Sequence, residues 1–207
     1  MIKKWLLAAT MAAGMATGAS AATVVDLTGN SEGPSLTFNN VLSGIDLTVT
    51  PTNASSENDT VTQTQNGLGV SGDTTVCILW CFDVTDPGSG GLDTFLGYEA
   101  LTFTFTGAVK LGSLGFSLFD ASDDYTITVN GVSTQSDENP FEFGWEEATT
   151  FKVGVIFGDD PTLLPSVIDK FRVSSLTIAA VPLPAAGWLL LAGLGGLVAT
   201  RRRRKSA

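Results

Sequence analysis

Period-2 alternation of apolar and polar residues is the feature that most limits how this chain can fold. Ile45-Asp46-Leu47-Thr48-Val49-Thr50 alternates in this way, and so does Leu101-Thr102-Phe103-Thr104-Phe105-Thr106. Leu114, Phe116 and Leu118 interleave with Gly115, Ser117 and Phe119, and Tyr125, Ile127 and Val129 interleave with Thr126, Thr128 and Asn130. Phe151, Val153, Val155 and Phe157 make another set. Successive side chains of a strand point to opposite faces, so each set predicts a strand with one buried face. No long stretch between the two ends of the chain carries helical periodicity.

Further strands are expected at Val24–Leu27, Leu36–Asn39, Val61–Gln65, Leu68–Ser71 and Val76–Val84. Asn130-Gly131 predicts a type I′ hairpin, because both residues tolerate positive φ; it should join Asp124–Val129 to Val132–Gln135. In the last strand Phe171 and Val173 share one parity and Leu176 and Ile178 the other. A bulge at Ser174-Ser175 would return all four to one face. Ten or eleven short strands in one domain predict an all-β fold, a two-sheet antiparallel sandwich of jelly-roll type. An immunoglobulin-like sandwich is the second choice, since it uses fewer strands. The polar stretch Pro51 to Asp59, the turn Asp86 to Gly91, and the segments Gln135 to Pro140 and Gly158 to Pro165 are expected to be loops.

The two ends are different in kind. Met1 to Ala21 has a positive start at Lys3 and Lys4, an apolar run from Trp5, and Ala19-Ser20-Ala21 as an A-x-A cleavage site. It predicts a signal helix removed by signal peptidase after Ala21, with Ala22 as the alternative. At the other end, Val181 to Thr200 carries no charge. As a transmembrane helix it would span about 30 Å, roughly one bilayer core. The basic cluster Arg201, Arg202, Arg203, Arg204 and Lys205 follows at once and would stay on the cytoplasmic side. Pro182 and Pro184 fix their own φ and push Val181 and Leu183 toward extended conformations, so a helix should not start before Ala185.

Val181-Pro182-Leu183-Pro184-Ala185, the short glycine-rich span and the terminal arginines together resemble the VPLPA variant of the PEP-CTERM sorting signals. The resemblance covers residues 181–207. It implies recognition by an exosortase-type membrane protease, removal of the tail, and delivery of the ectodomain to the cell surface or exopolysaccharide. The chain then divides into a signal peptide (1–21), a β-sandwich ectodomain (22–180) and a sorting tail (181–207). The ectodomain is first anchored in the inner membrane and faces away from the cytoplasm. The family shares no single ectodomain function.

Between those ends lie four basic residues, Lys110, Lys152, Lys170 and Arg172, against all 21 acidic ones, a formal charge of −17. Such a surface repels nucleic acid and anionic membranes. There is no histidine. Ser-His-Asp and Cys-His mechanisms are excluded, as are histidine-ligated metal sites. With 21 acidic residues, some carboxylate pair at glycosidase spacing would arise by chance, so no distinctive catalytic constellation is left. The ectodomain reads as non-catalytic, acting in adhesion or exopolysaccharide association. A calcium-dependent carbohydrate-binding module and a glycan-acting hydrolase or lyase are the alternatives.

Three groups of residues carry possible sites. Asp120, Asp123 and Asp124 crowd one inter-strand loop and offer oxygen ligands to Ca²⁺; the competing reading is a solvated hairpin end. Asp159-Asp160 and the set Asp83, Asp86, Asp93 and Glu99 are weaker versions of the same idea. Phe141, Phe143 and Trp145 share strand parity, and if exposed they would form a platform for sugar rings; if buried they belong to the core, as aromatic stripes usually do. Cys77 and Cys81 are the only cysteines. Outside the cytoplasm they should form a disulfide, with two buried thiols as the alternative. A straight strand would hold their Cα atoms about 13 Å apart, so a bridge requires a tight turn or one helical turn between them.

Overall fold

A computed structural model describes residues 21–53, 59–77, 81–85, 91–93, 99–121, 123–155 and 170–182. Among the described residues every helix-or-strand element is a strand, and every pairing is antiparallel. In chain order these are β1 (Ala22–Asp26), β2 (Ser31–Gly33), β3 (Leu36–Leu42), β4 (Ile45–Asn53), β5 (Thr60–Thr64), β6 (Gly67–Ser71) and β7 (Asp73–Cys77). There follow β8 (Cys81–Thr85), β9 (Leu92–Asp93), β10 (Glu99–Ser117), β11 (Tyr125–Val129), β12 (Val132–Ser136), β13 (Phe141–Val155) and β14 (Lys170–Ala180).

Strand β10 is the axis of the sheet. The main path runs β12-β11-β13-β10-β14-β6-β5-β2; β1 and β9 join on β14, β4 on β10, and β3 on β4. One edge of β10 is covered by β13. The other changes partner along its length: β4 pairs with Glu99–Phe105, and β14 pairs with Val109–Ser117. The sequence predicts two short strands here, at 101–106 and 114–119. The chain instead makes one strand of 19 residues, bent by register shifts between Thr104 and Val109 and between Leu111 and Ser113. A bulge lets one strand bend and serve two sets of neighbours. Leu118 and Phe119 lie beyond its end, and Leu118 is exposed at φ 58°.

Alternation becomes burial wherever the register is regular. Phe103 and Phe105 from β10, Phe151 and Val153 from β13, Leu47 and Val49 from β4, and Ile127 from β11 all join one core. Phe103 stacks on Phe151 with ring centroids 4.6 Å apart and planes 4° off parallel. Phe116, Tyr125 and Phe171 form a second aromatic group, with centroids 4.5 to 5.9 Å apart. Burying each such side chain is worth about 1.5–3 kcal/mol.

Two local expectations are met. Asn130 (φ 50°) and Gly131 (φ 81°) form the turn between β11 and β12, with Val129 opposite Val132. Gly115 pairs with Ser175 while Phe116 pairs with Val173, so Ser174 is the extra residue of a bulge, and Phe171, Val173, Leu176 and Ile178 are all buried. The expected single strand Val76–Val84 is instead two strands, β7 and β8, paired with Cys77 opposite Cys81.

Candidate functional site

Glycine 112 of β10 is the point from which the most unusual local geometry can be followed. Leu111 pairs with Glu146 and Ser113 with Glu142, so β13 advances four residues where β10 advances two. Two extra residues of β13 must fit opposite Gly112. They do so through consecutive left-handed residues, Gly144 (φ 66°) and Trp145 (φ 64°). Glycine adopts that conformation freely; a bulky side chain does so at a cost of about 1–3 kcal/mol. On the other edge, Leu111 pairs with Ile178 and Leu114 with Leu176, so Gly112 and Ser113 share Thr177. Gly112 therefore lies at two irregularities at once.

The aromatic trio divides there. Phe143 is buried, its ring 5.2 Å from Phe151 and 5.0 Å from Phe141. Phe141 is half-buried and meets Tyr125 edge-on at 6.1 Å. Trp145 is turned outward by the bulge and is 46% exposed. Its six-membered ring lies over Gly112: an added Cβ there would sit 2.9 Å from Cη2 and Cζ3 of the indole and 3.1 Å from Cγ2 of Thr177. Only glycine leaves room for the indole at that spot. The hydroxyl of Ser113 is 3.0 Å from that of Thr177, and Thr177 pairs in register with Val24, itself 66% exposed. Val24, Thr177, Gly112 and Trp145 thus form a row across β1, β14, β10 and β13.

The aspartates do a different job. Asp123 is buried. Its Oδ2 accepts the backbone N–H of Asp120 at 2.6 Å and its Oδ1 that of Lys170 at 3.0 Å, while its own N–H donates to the carbonyl of Asp120 at 3.2 Å. Burial pushes its carboxyl above the usual carboxylate range, and the two backbone donors pull it back down. Both oxygens are therefore engaged in tying the loop after β10 to the start of β14. Among the described residues no three acidic or cysteine side chains are grouped so as to hold a metal ion. Asp159 and Asp160 lie outside the described residues.

A polar cavity of about 320 Å³ lies against the β2–β5 pair, with Glu32, Thr62 and Arg172 among its walls. Arg172 is buried, and its Nη1 donates to the carbonyl of Gly67 at 3.0 Å. Nothing in the alternation of β14 announces a buried arginine. By contrast, the turn at Trp145 had one local signal in the sequence, Gly144 inside a strand pattern; that it falls opposite Gly112 is set by the pairing. Of the expected sorting tail only Val181 and Pro182 are described; Leu183, Pro184, Ala185 and Arg201 to Lys205 lie outside the described residues, as do residues 1–20 of the expected signal segment. No helix among the described residues is long and apolar enough to cross a membrane.

The chain matches no protein-family model, no curated protein and no solved structure.

Proposed function

We propose that this chain is an exported, non-catalytic protein of the cell surface or extracellular matrix. Its ectodomain, a jelly-roll-type sandwich, is delivered through the tail Val181 to Ala207 and associates there with exopolysaccharide or serves in adhesion. The observation that supports the route is where the two processing junctions fall. Strand β1 begins at Ala22, directly after Ala19-Ser20-Ala21, and β14 ends at Ala180, directly before Val181. Ala22 is paired in register with Ala179. Both junctions therefore leave the fold at the same end of one strand pair. The signal peptidase and the membrane protease would each cut chain just outside the sheet, with no strand to unravel.

The same reading places Cys77 and Cys81 in an oxidising compartment. Their positions face each other across β7 and β8, and directly opposed antiparallel residues have Cα atoms about 4.5–5.5 Å apart, within bridging range. We assign them a structural disulfide.

Intact mass of the protein from membrane and culture-supernatant fractions of the native host tests the route. The supernatant form should lack residues 1–21 and the basic tail, and should take up alkylating reagent only after reduction. A single membrane form that keeps Arg201 to Lys205 would mean a plain anchor and end the sorting proposal.

A further inference from the structure

We infer that Trp145, seated over Gly112 and edged by Ser113 and Thr177, is a stacking site for the pyranose rings of an uncharged polysaccharide. This deepens the exopolysaccharide reading above and rests on it. It does not rest on the sorting route.

Three observations carry the inference. The first is that Trp145 is placed outward against its own local preference. Two consecutive left-handed residues turn it from the core face occupied by Phe143 to the outer face. Bulges re-aim side chains, and backbone outliers persist where the surrounding structure holds them. The outward turn leaves apolar ring surface in water, a cost that a stacked ligand would remove. The second is the seat. The ring is laid against the sheet over a residue without a side chain, with Thr177 beside it. The Cζ3–Cη2 edge of the ring is packed there, and with Trp145 46% exposed part of its aromatic surface is left open. A pyranose has one face of axial C–H groups, which suits such a surface, and a rim of hydroxyls that need partners. The hydroxyls of Ser113 and Thr177 lie at the edge of the seat, and Glu142, opposite Ser113, is exposed and can accept from a sugar hydroxyl.

The third observation selects the partner class. The ectodomain's formal charge of −17 disfavours a polyanionic chain. The exposed large apolar residues among those described are Val24, Leu118, Val132 and Trp145. One indole and one valine in a row across four strands fall far short of the roughly 800 Å² per partner of a stable protein interface. They suit a narrow, uncharged polymer lying across the strands, with Val24 extending the contact past Thr177.

Retention of the purified full chain, in mild detergent, on microcrystalline cellulose, chitin and insoluble xylan tests the site. The wild type should be retained on at least one of these. Trp145→Ala should lower that retention about tenfold, in line with losing the central aromatic of a small contact. Trp145→Phe should recover part of it. Gly112→Ala keeps the indole but lifts it from its seat, and should lower retention several-fold. Far-ultraviolet circular dichroism of Trp145→Ala should match the wild type, and its thermal unfolding should stay cooperative and within a few degrees of it, because the ring is half exposed. No retention of the wild type on any of the three polymers overturns the site, and so does undiminished retention of Trp145→Ala. Processing of the tail is read separately by mass, so either proposal can fail while the other stands.

Discussion

The two halves of β10 are built on opposite principles. From Glu99 to Phe105 the strand runs between β4 and β13, and both its ladders are unbroken as far as Thr104. Every second side chain enters the core, and Phe103 lies flat on Phe151. From Val109 to Ser117 the strand runs between β14 and β13, and the ladders slip at Gly112–Ser113 and at Ser174. Here consecutive left-handed residues occur and a tryptophan faces out. The lesson is that regular pairing converts alternation into stability, whereas irregular pairing places side chains that alternation would have placed elsewhere. A core residue of the first half should be costly to truncate, and the outward residue of the second should not.

The largest effect expected is from Phe151→Ala. It removes a fully buried ring from between Phe103, Phe105 and Phe143. Chemical denaturation should show a loss of about 3–5 kcal/mol, the usual range for an aromatic deleted from a core. Trp145→Ala, six residues earlier on the same strand, should cost about 1 kcal/mol or less, because nearly half of the side chain is already in solvent. Equal losses for the two would erase the contrast between the halves.

Asp123→Ala comes next. It leaves the N–H groups of Asp120 and Lys170 without their acceptor, at about 2–4 kcal/mol for the pair. The pH dependence of the same residue has a definite sign. Burial raises its carboxyl above the ordinary aspartate value, so the folded state holds that proton more tightly than the unfolded chain. The stabilisation from that proton is fully present below the unfolded value and is lost as pH rises through the folded one. Relative to Asp123→Asn, the wild type should therefore lose stability as pH rises across that window. A difference curve with the opposite slope would show that the two backbone donors outweigh burial.

Asn130→Ala tests the turn that carries the β11–β12 hairpin beside the irregular half. Asn130 adopts φ 50° and donates from Nδ2 to Oε1 of Glu146 at 2.9 Å and to the carbonyl of Glu147 at 3.1 Å. About 1–2 kcal/mol should go with the loss of an αL-tolerant residue and its bonds. The smallest change expected in stability is Gly112→Ala, under about 1 kcal/mol, since the indole can swing off its seat. Its signature is optical: tryptophan emission should shift to longer wavelength as Trp145 enters water. An unshifted spectrum would mean that the ring does not rest on Gly112.

Much of this was legible in the chain and some was not, and the division follows how far each signal reaches. Alternation and turn chemistry are local, so the sequence alone determined that the middle of the chain is strand, that Asn130-Gly131 turns it, and that Ser174-Ser175 must bulge to keep Phe171 and Ile178 on one face. The same holds for the charge and for the absence of histidine. Which side of the sheet an aromatic occupies is not local. Phe141, Phe143 and Trp145 share one parity in the sequence, yet a bulge opposite Gly112 sends Phe143 to the core and Trp145 to the outside. That bulge exists because β10 must satisfy β13 and β14 together, and neither neighbour is near it in the chain. The fusion of two expected strands into β10, the folding of 73–85 into a hairpin and the burial of Arg172 against Gly67 arose in the same way. A one-residue slip in pairing reverses every face downstream, and only the assembled sheet decides where the slips fall.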